Sequence, residues 1–324
     1  MLIIFSNKIN NMDLFTNKAN LSFKKHVKTQ SKRALEIIDN AINWNSLIRP
    51  IESVVTRSDR GRKPFPLILI IKCFILQTIY QLSDPRLEEE IADRRSFQLF
   101  LGLNSGDSIP DETTICRYRE LFAHHRLDKK LFKSFKKQLQ QAGLMLEKGT
   151  LVDATLKQAQ AKPGSGKDID ADFTVRGKKT HYGYKGHIGM DAKSKIIHST
   201  EFTKASVHDS DMFDHITHGK EQFIIADKGY ANQQRKRILR KKGIYCGIMD
   251  KGYRNRKLST KQKKRNRRIS SIRNAVERPF AFARRILNYD RCSYYTLGRN
   301  RFQFNMVALV YNMRRYISLE LCPA

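Results

Sequence analysis

Two short apolar runs in the second half of this 324-residue chain, TLVD at 150–153 and QFIIAD at 222–227, each end on an aspartate. An apolar run of this length with no polar alternation fits a strand buried on both faces, which needs helices over both sides of its sheet. Such sheets bind ligands at the carboxyl ends of their strands, so Asp153 and Asp227 are expected to meet at one sheet end. HYGYKGHIGM at 181–190 and IIHSTEFT at 196–203 alternate like two further strands, with a turn at 191–195. Residues 155–180 are polar and rich in Gly and Lys and are expected to form a loop. A helix over 231–242, a strand over 244–249 and helices over 272–287 and 299–319 complete an α/β sheet covered on its faces.

The first half has helical spacing instead. Helices are expected over 34–45, 66–82, 84–92, 97–103, 112–123 and 128–142, with Asp111 as N-cap of the fifth and Gly143 ending the last. Short helices joined by tight turns fit a helix-turn-helix-like DNA reader, with TTICRYR at 113–119 as its recognition helix and Thr113, Arg117 and Arg119 toward a groove. The chain thus divides into an all-helical part, 1–145, that binds DNA and a sheet part, 146–324. The apolar stretch 66–82 is interrupted by Lys72, Gln77 and Gln81 and falls short of the ~20 residues that a membrane span needs, so no membrane is expected.

Charge identifies the class of partner. Lys and Arg number 62 against 31 Asp and Glu, a net charge of +31, and the positive residues run along most of the length. A folded chain this basic repels itself and calls for a polyanion, which suggests an extended nucleic-acid track. Nine basic residues crowd 253–268, among them Arg254, Lys263, Lys264, Arg265, Arg267 and Arg268, and Lys228 follows Asp227. The five cysteines, Cys322 included, are scattered, with no CxxC pair, and no export signal is visible, so a cytoplasmic, nucleoid-associated location is expected. The start is either Met1 or Met12.

Two decoys are set aside. KPGSGKD at 162–168 lacks a phosphate loop's first Gly (Ala161) and closing Ser or Thr (Asp168), so no nucleotide cofactor is implied. His181, His187, His198 and His208 match no zinc spacing.

Glu277 lies on the helix expected at 272–287. Three acids from separated segments of so basic a chain suit one chemistry well. In-line displacement at a phosphodiester builds charge on the attacking and leaving oxygens, and two hard cations held by carboxylates stabilise both.

The strings around these acids are VDATL at 152–156, DIDADFT at 168–174, HYGYKGHIGMD at 181–191, ASVHDS at 205–210, ADKGY at 226–230 and RNAVERPFAFARR at 273–285. With LEEEIADRRSFQLFLGL at 87–103 and IPDETTICRYRELF at 109–122, the chain resembles insertion-sequence DDE transposases of the IS-five-like group in the IS-four-type superfamily. The resemblance implies a ribonuclease-H-like catalytic domain behind the helical region. It also implies a catalytic and metal-binding triad of Asp153, Asp227 and Glu277 with Mg2+ or Mn2+, two ions in the family's manner, and a homodimer on the paired element ends of double-stranded DNA. Activity would be cleavage at the element's terminal inverted repeats and strand transfer; the alternative is a domesticated DNA-binding protein without activity. Of the family's Tyr-x2-Arg-x3-Glu-x6-Lys signature, Arg273, which the resemblance makes a DNA contact, and Glu277 match. Ser270 stands at the Tyr position, and Arg284 replaces the Lys while keeping a positive charge for phosphate.

Overall fold

The computed structural model describes residues 30–55, 63–145, 148–253 and 256–321; Met1, Met12, Arg254 and Cys322 lie outside the described residues. Seven helices come first: α1 (Gln30–Ala41), α2 (Trp44–Glu52), α3 (Leu67–Tyr80), α4 (Asp84–Asp93), α5 (Arg95–Leu101), α6 (Glu112–His124) and α7 (Leu127–Gln141). Asp111 caps α6 as expected, its Oδ1 accepting from the Thr114 amide at 2.6 Å. The single helix expected over 34–45 is instead two. Asn43 leaves helical geometry and accepts from the Ser46 amide, which starts α2 afresh.

Helix α3 is buried from Leu69 through Gln77. Its interior Lys72 donates to the Phe100 carbonyl at 2.7 Å and pairs with Asp39 at 2.6 Å, the partners that a buried ammonium requires. Among the described residues no single helix is long and apolar enough to cross a membrane; α3 and α4 reach that length only across a 102° bend.

The sheet comprises β1 (Gly149–Gln158), β2 (Asp172–Arg176), β3 (Lys179–Asp191), β4 (Ile197–Lys204), β5 (Phe223–Ala226) and β6 (Tyr245–Ile248). Its order is β2-β3-β1-β5-β6, with β4 on another stretch of β3. β1, β3 and β4 are antiparallel neighbours, while β1, β5 and β6 run parallel. The remaining helices are α8 (Phe213–Ile216), α9 (Gln233–Lys241), α10 (Thr260–Arg273), α11 (Glu277–Arg285) and α12 (Leu297–Leu321).

Two sequence expectations change here. Residues 155–180 are not one loop: β1 continues to Gln158, and β2 forms at 172–176. The polar composition misled because Lys157 is buried, with its ammonium donating to the Tyr289 carbonyl and lying over the Tyr289 ring, while β2 turns Phe173 and Val175 outward. The helix expected over 272–287 is also broken: α10 ends at Arg273, a 3-10 turn spans Asn274–Val276, and α11 starts at Glu277.

Helix α12 joins the two halves. Its Phe302 packs edge-on against Phe74 of α3 at 4.9 Å and Phe122 of α6 at 6.0 Å. On the sheet side Phe304 lies on Gly186, where a Cβ would come within 2.3 Å of the ring. Asn312 satisfies both backbone groups of Ile197 on β4, accepting from its amide at 2.9 Å and donating to its carbonyl at 2.7 Å. One hydrophobic cluster therefore runs from the N-terminal helices into the sheet.

Candidate active site

Parallel pairing of β1 with β5 sets Val152 opposite Ala226. β5 stops there, so Asp227 follows one position beyond Ala226 as Asp153 follows Val152, on chains about 4.8 Å apart. Asp153 thus lies within its strand, not at the end that the sequence suggested; only Asp227 ends one. Asp227 caps a 3-10 turn over Lys228–Tyr230, its Oδ1 accepting from the Lys228 amide at 2.6 Å.

The break between α10 and α11 brings in the rest. Val276 is fully buried, and its turn packs on β1. Arg273 on one side of that turn donates from Nη1 to Asp153 Oδ2 at 2.9 Å, and its Nη2 lies 3.7 Å from Glu277 Oε1. Glu277 occupies the first turn of α11, where the helix dipole favours a carboxylate. Its side chain is 61 % exposed, against 17 % for Asp153. Burial pushes the Asp153 carboxyl up to about 6. Arg273 and the Ala154 amide pull it down, and the charges of Asp227 and Glu277 push it up again. The three acids therefore act on one another across the sheet end.

Their donor chemistry, three hard carboxylates from separate segments around a buried and repelled Asp153, fits a divalent cation. As the side chains stand, no group of three Asp, Glu, His or Cys among the described residues is gathered closely enough to hold an ion, and the Arg273 guanidinium supplies the positive charge between Asp153 and Glu277.

A fourth acid stands nearby. Asp209 pairs with Lys185 at 3.1 Å and, with Asp153 and Asp227, adds to the burial that raises the Tyr230 hydroxyl. The ASVHDS string carried the signal for it, although a capping role explains that string equally well from sequence. His208 does cap, accepting from the Ser210 amide at 3.2 Å.

The basic candidates separate by exposure. Arg117, Lys228, Lys263, Lys264, Arg267 and Arg268 are exposed. Arg284 is exposed and paired with Asp290 at 3.0 Å. Arg265 instead turns inward to the Cys246 and Ile248 carbonyls and Asp250. Arg119 corrects the groove-reading expectation. It is 2 % exposed, donates from Nη1 to Asp84 at 2.7 Å and from Nη2 to Gln77 at 3.1 Å, and lies over the Tyr294 ring. A guanidinium buried against an interior carboxylate does not reach a base edge in a groove.

Two family profiles match the chain. The profile described as "Transposase DDE domain" matches residues 145–313, and one described as "Transposase domain (DUF772)" matches residues 21–121. The sheet with its helices is accordingly ribonuclease-H-like, the fold that suits this family. Since the first match covers just over half of the chain, this protein belongs to the DDE-domain transposases.

Proposed function

We propose that this transposase binds the terminal inverted repeats of an insertion sequence of the IS-five-like group, cuts the strands there and joins the freed ends to target DNA. The observation that carries the proposal is the convergence of Asp153, Asp227 and the Arg273–Glu277 turn on one end of the sheet. In this reading Asp153, Asp227 and Glu277 hold Mg2+ or Mn2+, two ions by likeness to the family. When bound, the ions stabilise charge on the attacking and leaving oxygens of an in-line displacement. Water attacks the phosphodiester at the element end and releases a 3′-hydroxyl, which then loses its proton and attacks a target phosphodiester, displacing the target strand's own 3′-oxygen as a hydroxyl. Arg273 aligns Asp153 through its 2.9 Å bond. The outward residues of α10 (Lys263, Lys264, Arg267 and Arg268), with Lys228 and Arg284, hold phosphates beside the carboxylates, and Arg117 contacts DNA from the helical part. Two ends must be paired, so the working form is a homodimer, acting at the nucleoid.

Incubation of a supercoiled plasmid carrying the element's ends with the protein and Mg2+ tests this reading. Nicked and linear products are expected from wild type and not from Asp153→Ala, Asp227→Ala or Glu277→Ala, each of which still binds the ends. Binding without cleavage by wild type would instead support the domesticated DNA-binding reading.

A further inference from the structure

At the carboxylate end of the sheet, β5 stops at Ala226 while β1 continues to Gln158, paired with β3 as far back as Gly183. Beyond Gly183, β3 carries on to Lys179 with β2 beside it, so residues 172–183 form a two-stranded arm projecting past the acids. Its turn is Gly177-Lys178, closing Arg176 onto Lys179. Gly177 has φ of 65°, the positive angle that a two-residue hairpin turn needs at its first position. Phe173 packs on its cross-strand partner Tyr182 at 4.9 Å, and the Tyr182 hydroxyl is tied to the Asp168 carbonyl at 3.0 Å, which stiffens the arm.

The tip carries Arg176, Lys178 and Lys179, all exposed, and none forms an ion pair among the described residues. Phe173 is 50 % and Val175 69 % exposed on one face of the arm. Three unpaired cations on a narrow ribbon call for a polyanion, and the major groove of duplex DNA admits a two-stranded ribbon. Five residues of β1 and four of β3 separate Asp153 from the tip, roughly 30 Å at 3.3 Å per residue. That is close to one turn of duplex DNA, about 34–36 Å.

We infer that the arm is a second DNA contact, seated in the major groove about one helical turn from the phosphodiester to be cut. The inference rests on the reading of this chain as a DNA-cutting transposase. It is tested on the full-length protein and a duplex carrying the element end. The triple variant R176A/K178A/K179A is expected to melt at the wild-type temperature. Its plot of log affinity against log salt is expected to be shallower by about 2 to 3, at roughly 0.9 per phosphate contact. A DNA-cleaving chelate tethered through Lys178→Cys is expected to cut about nine base pairs from the scissile position, given 3.4 Å per base pair. An unchanged slope with wild-type affinity, or chelate cuts scattered along the duplex, overturns the arm and leaves the proposed function standing. Loss of self-association without DNA, at an unchanged slope, also overturns it and makes the arm a contact between copies. If wild type itself neither prefers nor cuts the element end, the proposed function falls and the arm with it.

Discussion

Asp153 is held between opposing influences. Burial and two neighbouring acids favour its protonated form, Arg273 and the Ala154 amide favour the carboxylate, and the balance lies near pH 6. A carboxyl raised in the folded state above its ordinary 3.8 binds its proton more tightly there than in the unfolded chain. Its contribution to stability is therefore present at low pH and is lost as pH rises from about 4 to 6. Without metal, Asp153→Asn should gain on wild type across that window by up to about 3 kcal/mol, two pKa units at 1.36 each. Urea denaturation at pH 4.5 and 7.5 checks this, and an equal difference at both pH values removes the raised carboxyl assigned to Asp153. Mg2+ at a hundredfold excess over Kd should stabilise wild type by about 2.7 kcal/mol at pH 7.5 and Asp153→Asn much less. Arg119 and Arg117 offer a contrast two positions apart. Arg119→Ala leaves Asp84 without its interior partner and should cost about 3–5 kcal/mol. Arg117→Ala should stay within about 0.5 kcal/mol of wild type and alter only DNA affinity. The spacing of the two arginines could not separate these roles, because what decides them is a carboxylate 35 positions away in sequence.

At the scale of elements, α10 has two faces with different tasks. Arg265 and Asn266 face the sheet and bind the 246–250 segment, while Lys263, Lys264, Arg267 and Arg268 face outward. Replacing the outward four with Ala should leave the melting temperature near wild type and flatten the salt dependence of DNA binding by about 3 to 4. Arg265→Ala should instead lower thermal stability, since three acceptors lose their donor. A loss of stability in the fourfold variant would mean that the outward face packs on something in the protein. Elements with strong periodicity or a capping side chain were legible from sequence, as α3, α6 and β5 show. β2 was not, because a projecting ribbon needs no regular inward face. The α10–α11 break was not either, because the 274–276 turn, with Val276 buried, packs on β1, a contact from a distant part of the chain. Asp153 and Asp227 were legible as a pair through their apolar runs, whereas the position of Glu277 beside them came from family resemblance.

For the whole molecule, the proposed function divides labour between a helical half that contacts DNA and a sheet half that cuts it, and the core does not follow the same line. Phe74 and Phe122 from the first half close around Phe302 of α12, and Asp128 accepts from Asn305 of the same helix at 2.6 Å. A fragment ending at residue 145 loses all of these partners at once. Removing one buried Phe side chain costs about 3–5 kcal/mol, and a domain's whole stability is about 5–15 kcal/mol. Residues 1–145 alone should therefore show helical circular dichroism but no cooperative thermal transition, and should self-associate through the uncovered faces of α3 and α6. Restoring α12 by fusing residues 297–321 to that fragment through a flexible linker should bring back a cooperative melt. A sharp transition in the unfused fragment would show that the helices carry a sufficient core of their own, and that α12 merely leans on it.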